Sequence, residues 1–244
     1  MHRARKKLAE SKPWKYANGE DLCSDNARSY NQVSLHDGSG DHKMSRPPSY
    51  DRETALEKAV GLFWHKGYHG SSMKQVEQAL DMRPGSIYAA FGSKDELFSE
   101  ALARYTKEAG EDLASHMAGY ASVIEGLQSF LQKIARDCSA SEQAPARACM
   151  IVKTLLEANN THGALYAQAN SVLSAIEDAF TALLEKAQRQ GELTPRTDCR
   201  RLARLLQGQL MGLRSMAERN LSATELEQLG QDMSAVLERY RAEN

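Results

Sequence analysis

The chain has 244 residues, enough for one or two domains with a buried core. Its 31 Lys and Arg stand against 32 Asp and Glu, a net charge of −1, which excludes a chain basic throughout but leaves room for a local basic face. Ala and Leu together number 60 while Val and Ile number 12, so the composition predicts an all-α fold and argues against sheet-based enzyme classes.

Residues 1–43 are polar, mix both charges and show no helical period, so a disordered N-terminal extension is expected there. Two readings stand for it: a start-site artefact, with Met44 as the native start, or a functional arm. From Ser49 the helical signal is strong. Leu56, Ala59, Val60, Phe63 and Trp64 recur at i, i+3, i+4, i+7 and i+8, one apolar helix face that Gly67 ends. Ser72 followed by Gln75 is a capping box opening a short second helix with Val76, Ala79 and Leu80. Asp81-Met-Arg is a turn, and Pro84 sits at the first position of a third helix that stops at Gly92. Ser93 and Glu96 form a second capping box, with Leu97, Phe98, Ala101, Leu102 and Tyr105 behind it. Longer helices are expected near residues 122–138, 145–158, 162–190, 196–219 and 222–242, the last opened by a Ser222/Glu225 box.

Short helices joined by a three- or four-residue turn are a helix-turn-helix candidate. The residues make it specific: the apolar stripe runs into Phe63-Trp64-His65-Lys66-Gly67-Tyr68, then Gly70 and the Ser71-Ser72 pair. After the turn come Gly85-Ser-Ile-Tyr88, Phe91, and Ser93-Lys94 leading into Leu97. Over about fifty contiguous residues this resembles the N-terminal domain of the tetracycline-repressor (TetR) family of bacterial regulators. The resemblance implies a three-helix helix-turn-helix DNA-binding domain over residues 44–95 and a helical ligand-binding and dimerisation domain over residues 96–244. It also implies a repressor that binds a near-palindromic operator on double-stranded DNA as a dimer and is released by a small-molecule effector. Tyr88 and Lys94 would then contact the DNA backbone, and Ser71 or Ser72 would contact a phosphate from the second helix. Arg83 would read a base, because Arg pairs bidentately with guanine. Pro84, Gly85 and Ser86 form the tip that enters the groove, where free N–H groups also favour phosphate.

Three positions depart from the family pattern. Glu77 replaces a small Ala, Asp81 the turn Gly, and Arg83 the capping Ser; these bear on the target sequence more than on the fold.

Elsewhere the sequence leaves alternatives open. Tyr120, Phe130, Met150 and Tyr166, with His116 and His162, either line an effector pocket or belong to the core. Cys138 and Cys149 flank a polar loop and are either redox or electrophile sensors or small core residues. A sensing or ligand-binding protein with weak or lost DNA binding is thus an alternative, as are a helical enzyme or carrier and an interaction protein without ligand. Gly208 and Gly212, with the apolar stripe of residues 222–242, suggest a homodimer through the last two helices. His65 and His69 are four apart, but Gly67 between them argues against a metal site, and no cofactor motif stands out. The four cysteines (Cys23, Cys138, Cys149, Cys199) have no CxxC spacing and fit a reducing cytoplasm. No apolar run approaches the ~20 residues of a membrane helix, so no membrane partner is expected.

Overall fold

The computed structural model describes residues 51–139, 148–219 and 221–242. The expected N-terminal extension, residues 44–50 and Pro145 lie outside them. Among the described residues there are nine α-helices and no β-strand beyond an isolated bridge between Leu193 and Arg241.

Local chemistry places the first helices. Helix α1 (Arg52–Lys66) starts where the Asp51 carboxylate accepts the Glu53 and Thr54 amides, and ends at Gly67 with φ 71°. Helix α2 (Met73–Leu80) carries the expected capping box in both directions between Ser72 and Gln75. Asp81 takes the left-handed conformation, φ 54° and ψ 46°, and turns the chain into α3 (Pro84–Phe91). Pro84 opens α3 as expected, and Arg83 before it supplies no side-chain cap.

Helix α4 (Lys94–Met117) is 24 residues long. Ser93 accepts the Glu96 amide at 3.1 Å, whereas Ser72 and Ser222 also receive the return bond of a full capping box. The expected division between residues 95 and 96 falls in the first turn of α4, so one helix runs from the DNA-facing part into the rest.

Five helices follow: α5 (Val123–Ser139), α6 (Met150–Ala158), α7 (Gly163–Arg189), α8 (Cys199–Met216) and α9 (Ala223–Ala235). Three differ from the sequence expectation. Helix α6 begins at Met150 rather than 145. Helix α8 begins at Cys199 rather than 196, because the Asp198 carboxylate accepts the Arg201 amide. The last helix does not run to 242; from Val236 to Tyr240 it tightens into a 3₁₀ segment.

Packing crosses the expected boundary. One apolar core gathers Phe63 of α1, Val76 and Leu80 of α2, Ile87 and Phe91 of α3, and Leu97 and Phe98 of α4. The same core continues into Met150 and Ile151 of α6 and Leu165 and Ala169 of α7. A second core joins α5, α7 and α8, and a third joins α5, α8 and α9. The expected dimer stripe is partly taken up inside the chain, since Leu226 and Leu237 are fully buried. Helix α9 lies against α5 at Gly230, where an added Cβ would stand 2.6 Å from that of Ala135. A Cβ added at Gly208 would meet nothing within 4 Å, and nearby Leu205 on α8 is exposed.

Candidate nucleic-acid interface

Helix α3 has two faces set by residues one turn apart. Ile87 and Phe91 point into the core, while Arg83, Pro84, Gly85 and Tyr88 are exposed and Ser86 is half-buried. Tyr88 is 49% exposed although Ile87 before it lies in the core. An added Cβ on Gly85 would meet nothing within 4 Å, so the tip presents open backbone. The far end of α3 is anchored by Arg52. Its guanidinium binds both Glu100 oxygens at 2.8 Å, donates to the Ala90 carbonyl at 3.4 Å and lies 4.7 Å over the Phe91 ring.

The two serines before α2 part company. Ser71 is 1% exposed and its hydroxyl donates to the Gly67 carbonyl at 2.6 Å, closing the turn after α1. The expectation that either serine could meet phosphate therefore narrows to Ser72, which is exposed at the start of α2. Glu77 is half-buried on α2.

Lys94 is half-buried, and its ammonium donates to the Tyr68 carbonyl at 2.6 Å and lies 4.1 Å over the Tyr68 ring. Burial draws its pKa below the ordinary lysine value, with Asp95 and Glu157 opposing the shift. Burial and the bond from its hydroxyl to Asp95 push Tyr68 up to about 12. His69 follows Gly67, which breaks the helix as expected. Its Nε2 lies 3.3 Å from the Glu157 carbonyl and 3.4 Å from the Thr161 hydroxyl. No group of three potential metal ligands occurs among the described residues. Sequence reasoning missed Arg52, Tyr68 and Glu157 as supports of this face. Only Tyr68 carried a local signal, as the last aromatic of the stripe ending in Gly67-Tyr68.

The effector candidates do not converge on one place. Phe130 is buried beside His116, ring centroids 5.6 Å apart, and packs with Leu127, Leu131, Phe180 and Leu206 with no room for a water molecule between them. Tyr120 is 39% exposed near it, with its hydroxyl 2.5 Å from that of Ser129. Met150 lies in the first core, and Tyr166 is 39% exposed on α7. His162, also weighed for a pocket, instead packs against the Tyr68 and His69 rings at 4.5 and 5.1 Å. The two cysteines do share a setting. Cys149 stands at the N-terminus of α6, close to the buried Tyr105. Cys138 is buried at the end of α5. Arg214, 6% exposed on α8, faces Tyr105, Cys138, Cys149 and Asp137; their pull outweighs the opposing effect of burial and raises its pKa. Tyr105 is itself raised by burial and by Cys149.

A short helix, a three-residue turn and a second helix exposing Arg83, Gly85 and Tyr88 define a helix-turn-helix DNA-binding protein. Family models agree in both parts. "Bacterial regulatory proteins, tetR family" matches residues 55–101, and "Tetracyclin repressor-like, C-terminal domain" matches residues 124–233. The chain is 29% identical over 185 residues to the HTH-type transcriptional repressor ComR of Escherichia coli, covering 75% of this chain and 87% of ComR. It is 28% identical over 178 residues to the uncharacterized HTH-type transcriptional regulator YezE of Bacillus subtilis, covering 72% and 90%. Among solved structures it is similar to a cysteine mutant of the TetR-family regulator CifR bound to a 26-bp operator duplex. That match has 30% identity and a TM-score of 0.68, covering 78% of this chain and 97% of CifR. The chain belongs to the tetR family of bacterial regulatory proteins and is a DNA-binding transcriptional regulator.

Proposed function

We propose that the protein is a cytoplasmic repressor with no catalytic role. It binds a near-palindromic operator as a homodimer and is released by a small-molecule effector. The observation that carries this is the exposed face of α3. Arg83 reads a base edge, Tyr88 and Lys94 hold the DNA backbone, Ser72 meets a phosphate, and Pro84, Gly85 and Ser86 form the tip in the groove. The name of ComR and the operator complex of CifR support the same reading. Twofold symmetry sets two such faces one DNA turn apart, roughly 34–36 Å. The exposed Leu205 and the open side of Gly208 on α8 support a partner copy there.

Selection of bound duplexes from a random pool, followed by titration of variants, tests this. Tyr88→Ala and Lys94→Ala should weaken binding on every duplex. Arg83→Ala should relax preference at one position of each half-site, costing roughly 1–3 kcal/mol on the preferred base. Unchanged affinity for all three would remove the assignment.

The setting of Cys149 favours a second reading of the effector: a soft electrophile that alkylates this thiol. The S–C bond forms at the β-carbon of an unsaturated carbonyl compound and the thiol proton ends on its α-carbon. Cys149 is partly exposed at the start of α6, close to Tyr105 and Arg214, whereas Cys138 is buried. In a Cys23→Ser background, N-ethylmaleimide should label one thiol rapidly, lost in Cys149→Ser, and the adduct should weaken operator binding. Labelling that occurs only on unfolding would sink this reading and leave a non-covalent effector.

A further inference from the structure

The turn between α1 and α2 is gripped by one carboxylate from the far side of the sequence. Glu157, in the last turn of α6, accepts the Tyr68 amide at 2.8 Å and the His69 amide at 3.2 Å, both on Oε2. Room for it exists because residue 67 is glycine. An added Cβ there would stand 2.0 Å from Glu157 Oε1, and φ is already 71°.

The second of these bonds continues toward the DNA-facing side. The His69 N–H and the Tyr68 C=O belong to one planar peptide group. On the nitrogen side that group donates to Glu157. On the oxygen side it accepts the Lys94 ammonium at 2.6 Å. A carboxylate pulling on the N–H polarises the carbonyl and strengthens the bond to the ammonium. A rigid plane also fixes where that acceptor sits. Lys94 is further confined by the Tyr68 ring beneath it, and the Tyr68 hydroxyl is tied to Asp95, the next residue of α4. Two more links align α6 with the same end of α1. The Trp64 indole donates to the Ala148 carbonyl at 2.7 Å, and the Lys153 ammonium to the Trp64 carbonyl at 3.3 Å.

We infer that Glu157 is a positioning residue for operator binding, acting on the Lys94 ammonium through the Tyr68–His69 peptide group. This rests on the reading that Lys94 contacts a DNA phosphate. Helix α6 thereby bears on one DNA contact of each protomer through the turn after α1, apart from any movement of α4.

A double-mutant cycle on the full-length protein tests it, using a duplex selected from a random pool. Lys94→Ala is expected to weaken binding about tenfold or more and to lower the salt slope by about one for each phosphate that is no longer neutralised. Glu157→Ala should weaken binding several-fold and lower the slope in the same way. A merely structural effect would leave the number of neutralised phosphates, and so the slope, as it was. In the Lys94→Ala background, Glu157→Ala should add less than twofold, whereas in the Arg83→Ala background it should keep its full effect. Glu157→Gln keeps the size and one acceptor oxygen and serves for the cycle if the alanine variant does not fold. Equal effects of the Glu157 change in all backgrounds would overturn the relay while leaving Lys94 as a DNA contact. If Lys94→Ala alone leaves affinity unchanged, the phosphate reading falls and the relay falls with it.

Discussion

The DNA-facing helices and the helices behind them close their cores differently. Helices α2 and α3 have eight residues each, too short to bury much surface between themselves. Their apolar residues complete a core only with α1, α4, α6 and α7. Side chains reach across to backbone groups there, as Trp64 does to Ala148 and Glu157 does to Tyr68. Helices α5, α7, α8 and α9 are longer, and their cores are almost wholly Leu, Ile, Phe, Val and Ala. The difference teaches that α2 and α3 do not close a core of their own. They share it with α6 and α7, so a change in those two helices is expected to reach the exposed face of α3 without a hinge.

The largest test of this contrast is Phe63→Ala. Phe63 is fully buried and packs edge-on against Phe98, with centroids 4.8 Å apart. Its loss should cost about 3–5 kcal/mol. Because the core is shared, hydrogen exchange should quicken in α6 and in the first turns of α7 as well as in α1–α3. Protection of residues 150–158 unchanged from wild type would show that the reading helices have a core of their own.

The opposite region has its own polar fastening, and the effect expected from breaking it is smaller than that of Phe63→Ala. Glu192 caps the start of α5 from the loop after α7. It accepts the Ser122 hydroxyl at 2.6 Å and the Val123 and Ile124 amides at 2.9 and 3.0 Å. Burial alone would raise this carboxyl, but those bonds outweigh it and hold the pKa below the ordinary glutamate value. The charged form is therefore the one that the fold favours. Its stabilisation is complete above the ordinary value and is lost as pH falls through the lowered one. Glu192→Gln should cost about 1.5–3 kcal/mol at neutral pH, the range for hydrogen bonds to a charged group. In urea titrations that deficit should shrink in acid, while operator affinity at neutral pH stays near wild type. A deficit that persists at the acid end would show that the loss is packing rather than charge.

What the sequence discloses follows the same division. Capping by Ser72 and Ser222, Pro84 at the start of α3 and Gly67 after α1 depend on neighbours within four residues, and each stands where periodicity and capping chemistry put it. The exposed side of α3 was legible for the same reason. Ser71 was not, because its burial depends on how the chain folds back to Gly67. Glu157 and Arg52 were invisible to local patterning, since their partners lie 88–89 and 48 residues away. The effector candidates failed to gather because Tyr120 and Tyr166 sit on surfaces of different helices, and an aromatic at helical spacing carries no sign of which neighbour it faces.

The smallest predicted effect lies at the joint of the reading helices. Asp81 holds φ 54° and ψ 46° in a place where the family pattern has Gly. Asp visits this region with local help, whereas for most residues it costs roughly 1–2 kcal/mol. Glycine would remove that strain, but it also gives the unfolded chain more freedom, worth about 0.4–1 kcal/mol in the other direction. The two effects nearly cancel, so Asp81→Gly should leave stability within ~0.5 kcal/mol of wild type, whereas Asp81→Val should cost about 1–2 kcal/mol. Binding need not follow stability here. Asp81 is exposed two residues before Arg83, and removing its charge from a face that approaches phosphates should tighten operator binding a few-fold, most at low salt. Calorimetric unfolding beside a mobility-shift series separates the two effects. A glycine variant that gains stability but no affinity would place Asp81 away from the DNA and turn the exposed face of α3 from the orientation argued above.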